Sequence, residues 1–250
     1  GSDRSWTYGH IVVDEAQELT AMDWRMLVRR CPSRSFTIVG DVAQTSALGG
    51  THSWDSTMNA VFGPQGWEQR ELTINYRNPQ EVSDLASRFA SRSGLYVSTV
   101  KAVREMPDSV SRLMANGHDE LVHVVSDTVL DLASRYVASD GTGRVAVIAP
   151  DSWKDDLRGA IDAALRSHLS TQEYDRLTHQ PSWDEQVSLC SVGSVKGLEY
   201  DAVVVVEPGE IEQSAPSRLT AAADLYVAMT RPTQRLVIAR TRDDAKSSEI

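Results

Sequence analysis

The run Val203-Val204-Val205-Val206, inside 200–207, is apolar at every position. A strand with one face in water alternates apolar and polar residues. A strand apolar on both faces needs cover on both, as in a parallel sheet wrapped by helices. The chain repeats this logic. Strands are predicted over 11–13, 36–39, 71–74, within 118–125, and over 144–149, 187–191 and 235–239. Between them the apolar spacing predicts helices over 21–30 behind Thr20, 55–61, 79–91 with Pro79 in the first turn, 127–139, 152–169 and 218–230. Residues 170–186 are polar and read as loop, while 97–117 show too little periodicity to assign. Strands alternating with helices define an α/β class with parallel sheets.

In such sheets ligands bind at the carboxyl ends of strands. Asp14 and Glu15 stand at such an end, directly behind Ile11-Val12-Val13. There the first carboxylate can hold Mg2+ through its water shell, and the second can take a proton from a water attacking a nucleoside triphosphate. A strand that simply ends in a solvated acidic turn has the same sequence. Four further clusters fall on strand ends or loops of this kind. Gly40-Asp41-Val42-Ala43-Gln44 follows the second strand, and Gln44 can reach a terminal phosphate or its attacking water, though a Gly-Asp turn alone is ordinary. Asn75-Tyr76-Arg77 joins an aromatic face to a guanidinium, suited to a base and a phosphate, or to a surface Arg beside a half-buried Tyr. Ser194 to Asp201 sets Gly197 and Glu199 just before the Val run, where the glycine can equally serve a tight turn. Tyr226 to Pro232 ends a helix with Arg231, a cation that also complements the helix dipole.

Bulk composition narrows the partners. A net charge of −10 excludes a grip on nucleic acid through bulk charge, leaves room for a local basic stripe, and suits a protein partner. Cys31 and Cys190 have no CxxC spacing, so neither a zinc site nor a disulfide framework is indicated, and reduced thiols favour a cytoplasmic setting. No apolar stretch approaches the ~20 residues of a membrane span, so no membrane partner is expected. The first strong strand lies close to Gly1, as though the chain were cut from a longer protein.

Taken in order, VDEAQ, GDVAQ, NYR, SVKGLEYD and YVAMTR resemble motifs II to VI of superfamily 1 helicases of the UvrD and Rep type. The resemblance implies a RecA-like fold of the P-loop NTPase type, with an incomplete first domain over 1–70 and a second RecA-like domain over 71–250. It also implies ATP and Mg2+ as cofactors. Asp14 would assist Mg2+ binding and Glu15 would be the general base. Gln17 and Gln44 would lie near the γ-phosphate, Tyr76 would stack on adenine, and Arg77 would touch the γ-phosphate. Gly197 and Glu199 would meet the nucleotide, and Arg231 would be the arginine finger. Such cations act by stabilising charge that builds up on the transferred phosphoryl group.

Three departures qualify the resemblance. No GxxxxGK[ST] loop occurs in the chain, so the β- and γ-phosphates lack their cradle, and the chain alone is expected to hydrolyse ATP negligibly. The missing N-terminal part of the same protein, carrying that loop, is therefore an expected partner. Thr45 to Gly50 holds none of the base-stacking aromatics of the DNA-translocating relatives, with Trp54 the nearest. Finally, the stretch between Arg77 and Ser194 leaves no room for a 2B insertion. These features, with GDVAQT and the stretch from Val13 to Pro32, are similar to the HelD family of actinobacterial RNA polymerase-associated ATPases. RNA polymerase is then the expected partner, with a DNA translocase or a nonenzymatic scaffold as alternatives. The other tryptophans, Trp6, Trp24, Trp67, Trp153 and Trp183, are expected only to pack.

Overall fold

The structure, a computed structural model, describes residues 6–42, 45, 49–72, 74–95, 97, 101–138, 142–178, 186–195, 198–247 and 250. The chain divides into two compact units, Gly1–Glu71 and Leu72–Ile250.

The first unit is a strand-helix-strand crossover with one added helix. Strands β1 (Ile11–Val13) and β2 (Phe36–Ile38) pair in parallel, Ile11 opposite Phe36 and Val13 opposite Ile38, joined by α1 (Ala21–Arg30). A capping box starts α1: Thr20 Oγ1 accepts the Asp23 N–H, and Asp23 accepts the Thr20 N–H at 2.8 Å. The Thr20 hydroxyl also donates to the Asp23 carboxylate at 2.6 Å, and that bond first, then the Thr20 N–H, holds the Asp23 carboxyl below its usual range. Arg29 and Arg30 occupy the last turn, where cations suit the dipole. Helix α2 (Trp54–Phe62) begins at Ser53 and stops at Gly63, whose φ of 84° is a glycine conformation. Val13, Ala16, Trp24 and Met58 form the core between them.

The second unit is built on five parallel strands. In chain order it contains β3 (Ile74–Pro79), α3 (Gln80–Arg92), β4 (Lys101–Arg104), β5 (Val110–Ala115), α4 (His118–Tyr136), β6 (Val145–Ile148), α5 (Lys154–His168), α6 (Thr171–Thr178), β7 (Val187–Cys190), β8 (Tyr200–Val206), α7 (Pro208–Ser214), α8 (Arg218–Met229) and β9 (Pro232–Thr241). The main sheet runs β5-β9-β8-β6-β7, all parallel, and β3-β4 form a separate two-stranded ladder. The valine run shows why both faces must be covered. Ala202, Val204 and Val206 pack against Leu121, Val125 and Val129 of α4 and Leu157 of α5. Val203 and Val205 pack on the opposite face against Val82 and Phe89 of α3 and Leu225 and Met229 of α8. The fold is α/β, with parallel sheets flanked by helices.

Several predicted elements shift. The strand expected over 71–74 starts at Ile74 and carries Asn75-Tyr76-Arg77 within it, and Pro79 caps α3 in an extended conformation (ψ 149°) instead of opening its first turn. Residues 118–125 are helix, because Leu121, Val125, Val129 and Leu132 recur at helical spacing and all enter the core. The strand there is β5, at the sheet edge, where Val110 to Met114 are only partly buried or exposed and the sequence pattern is weak. Residues 171–178, expected as loop, form α6: Ser170 Oγ accepts the Glu173 N–H and Glu173 accepts the Ser170 N–H at 3.0 Å, a Ser-x-x-Glu box legible in the sequence. Trp6 does not pack in a core; it is 65% exposed and leans on Tyr8.

Candidate functional site

In the first unit, Asp14 and Glu15 stand exposed just beyond β1. The Glu15 backbone is left-handed (φ 49°, ψ 38°), which costs a residue with a Cβ about 1–2 kcal/mol. What holds it there is visible. The Glu15 N–H donates to Asp14 Oδ1 at 2.8 Å, and the Glu18 N–H donates to the Glu15 carbonyl at 3.0 Å. Gln17 is 2% exposed and joins the two strand ends: its Nε2 donates to Glu15 Oε2 at 2.6 Å, and its Oε1 accepts the Asp41 N–H at 3.1 Å. Gly40 makes this approach possible, since a Cβ there would lie 2.5 Å from Gln17 Oε1 and 3.0 Å from the Ala16 nitrogen. Gln17 therefore sets the rotamer of Glu15 from a buried position. Gln44 lies outside the described residues.

In the second unit, the candidate residues gather at the amino ends of β8 and β9. Glu199 stands just before the Val run, where the sequence sets it, whereas Asn75-Tyr76-Arg77 lies within β3 instead of behind a strand. Arg77 Nη1 donates to Glu199 Oε1 at 2.9 Å, with the two side chains 38% and 58% exposed. Such a surface pair is worth about 0–1 kcal/mol, so a phosphate can replace Glu199 at little cost. Tyr76 is 69% exposed and presents an open ring. Arg231, 2% exposed, donates through Nε to the Val227 carbonyl at 3.2 Å, at the end of its own helix α8. That is the dipole-complementing contact. Gly197 lies outside the described residues.

Two residues that sequence reasoning missed lock this cluster. Asn78, 2% exposed, donates through Nδ2 to the Thr230 and Pro232 carbonyls, both at 2.8 Å, and so pins the turn that carries Arg231. Arg104 Nη1 donates to the Arg77 carbonyl at 2.6 Å and to the Thr233 carbonyl at 2.9 Å. Asn78 had a signal, an amide wedged between Arg77 and Pro79. Arg104 had none, because it lies in the unassigned stretch 97–117.

The carboxyl edge of the same sheet is occupied by its own side chains. Lys154 pairs with Asp151 at 2.7 Å and contacts Ser191, and these two partners hold the Asp151 carboxyl below its usual range. Glu210 accepts from Ser152 Oγ and from Trp153 Nε1. Glu207 is buried and accepts from the Thr241 N–H and hydroxyl, and burial, above all, pushes its carboxyl up. Asp244 and Arg240 form a buried pair at 3.2 Å. Both cysteines are free, and burial raises the Cys190 thiol to about 11.

Among the described residues, no group of three or more His, Cys, Asp or Glu is placed to hold a metal ion. Mg2+ does not need one, since it keeps several waters and takes one or two carboxylates plus phosphate oxygens, a demand that the exposed Asp14 fits. No described helix is long and apolar enough to cross a membrane.

No protein-family model matches the chain, and no curated protein matches it. Among solved structures it is similar to the crystal structure of the C-terminal domain of a possible DNA helicase from Lactobacillus plantarum WCFS1, at 18% identity over 70% of this chain and 95% of that one, with a TM-score of 0.44.

Proposed function

We propose that the chain is part of an ATP-driven, superfamily 1 helicase-like motor. The unit Gly1–Glu71 would be the end of its first RecA-like domain, with motifs II and III, and Leu72–Ile250 its second, with motifs IV to VI. The Gln17 bridge carries this reading. A side chain of the DEAQ segment binds the catalytic-base candidate Glu15 and the backbone of the Gly40-Asp41 turn at once. This is how a motor would make the position of its base depend on a second phosphate-facing loop. Structural turns alone give no reason for a left-handed, exposed glutamate to be oriented from a buried amide.

ATP bound with Mg2+ would supply the transferable phosphoryl group and the charge that neutralises it. Asp14 would hold the hydrated ion, and Glu15 would accept the proton of the attacking water. Tyr76 would stack on the base. Arg77 would exchange Glu199 for phosphate oxygens, a stronger, charge-assisted contact. Arg231 would act only after leaving the Val227 carbonyl. The chain has no GxxxxGK[ST] loop, so a segment of the same protein carrying one is the required partner.

For the partner we favour RNA polymerase, as in HelD-type factors, over DNA. Support comes from the net charge of −10 and from the use of the residues between Arg77 and Ser194 by the second unit itself. The test is a pull-down of the protein, joined to its phosphate-loop segment, with RNA polymerase and with single-stranded DNA, each with and without ATP. Retention on polymerase that responds to ATP is expected. Retention on DNA alone would overturn the polymerase reading in favour of a translocase.

A further inference from the structure

A groove of about 790 Å3 runs between α1 and α2 in the first unit, and the motor chemistry above makes no use of it. Two observations on its walls ask for the same kind of occupant. The first is a row of apolar side chains. Met22 and Met26, one helical turn apart on α1, line it while each is 60% exposed, with Leu19 and Val61 beside them. Unbranched thioethers reshape at little cost and recur on surfaces that receive partner helices.

Charge is the second. Arg25, Arg29 and Arg34 line the groove, and among the described residues no carboxylate does, in a chain whose net charge is −10. Arg25 and Arg29 are again one turn apart, so α1 presents a basic row next to its methionine row. Trp24, 1% exposed, also lines the groove, so its indole signal reports on what enters.

We propose that this groove docks an acidic amphipathic helix of a partner protein. Its apolar row would seat on Met22 and Met26, and its carboxylates would meet Arg25 and Arg29. A nucleic acid strand would use the arginines but leave the methionine row unfilled. The proposal does not rest on the motor reading.

The test uses the 250-residue chain with 15N-labelled tryptophan. The probe is a fluorescein-tagged synthetic peptide of about five helical turns, with leucines in an i, i+4 row flanked by glutamates. Controls are the same peptide with every glutamate replaced by lysine, and an oligo-dT strand. Saturable binding is expected, weakened about tenfold or more by the lysine peptide and by the surface double variant Arg25→Ala/Arg29→Ala. The indole signal that Trp24→Phe removes should shift as the peptide binds. Binding no tighter than that of the lysine peptide, binding indifferent to the arginine pair, or a stationary Trp24 signal would each overturn the proposal. So would displacement of the peptide by oligo-dT, which would assign the groove to nucleic acid. If Trp24→Phe fails to fold, assigning the indole signals by triple-resonance spectroscopy keeps that readout.

Discussion

Two glutamates end parallel strands in nearly the same backbone conformation and have opposite fates. Glu15 follows β1 at φ 49°, ψ 38°, and Glu207 follows β8 at φ 49°, ψ 58°. Glu15 is exposed, and its described side-chain hydrogen bond comes from the positioning amide of Gln17. Glu207 is 4% exposed, with its carboxylate spent on Thr241. The left-handed turn is thus a device for aiming a carboxylate off a strand tip, and the neighbours decide its use. In the first unit it faces outward, where a ligand can reach it. In the second it helps fill the carboxyl edge, and the candidate residues lie at the amino edge.

The largest effect that would break this comparison is expected at the filled edge. Asp244→Ala removes the carboxylate paired with the buried Arg240 guanidinium, leaving its donations to the Ile250 and residue-244 carbonyls, and should cost about 3–5 kcal/mol in urea unfolding. A loss near zero would mean that the edge is not held by this network. At the amino edge, Asn78→Ala leaves the Thr230 and Pro232 carbonyls without their donor and should cost about 1–3 kcal/mol by the same measurement.

The turn at Glu15 should respond in the other direction. Glu15→Gly relieves a left-handed residue and should stabilise the unit by about 1 kcal/mol, the sign expected where strain serves function. Destabilisation by that variant would show that the Gln17 contact outweighs the strain. The smallest effect is pH dependence. Because the folded pKa of Glu207 is raised above its usual 4.5, the folded state binds the proton more tightly. Its contribution is present below about pH 4.5 and is lost as pH rises through the folded value. Glu207→Gln should flatten that part of the stability curve, and an unchanged slope would remove Glu207 as its cause.

Much of the fold was legible because burial on both faces leaves an apolar signature. Val203 to Val206 announced a strand buried on both faces, Ile11 to Val13 announced a strand although Val12 is 69% exposed, and Thr20 announced a helix start. The stretch from Leu121 to Val125 misled because β-branched runs suit a strand and a buried helix face equally, and the residues that settle it, Val129 and Leu132, lie further along. The edge strand β5 and the polar helix α6 bury too few residues to leave a period. Of the candidate site, residue types and order were legible in Asp14, Glu15, Gln17 and Arg77. The left-handed backbone of Glu15, the Asn78 and Arg104 clamps, and the burial of Arg231 were not, because each depends on partners from distant segments.

The most direct test of the central claim is steady-state ATP hydrolysis by the protein joined to a phosphate-loop segment, comparing Glu15 with Glu15→Gln. Loss of a general base predicts a kcat lower by about 10²–10⁴ with ATP binding retained. A kcat unchanged by Glu15→Gln would contradict the assignment of this strand tip as the water-activating half of the site.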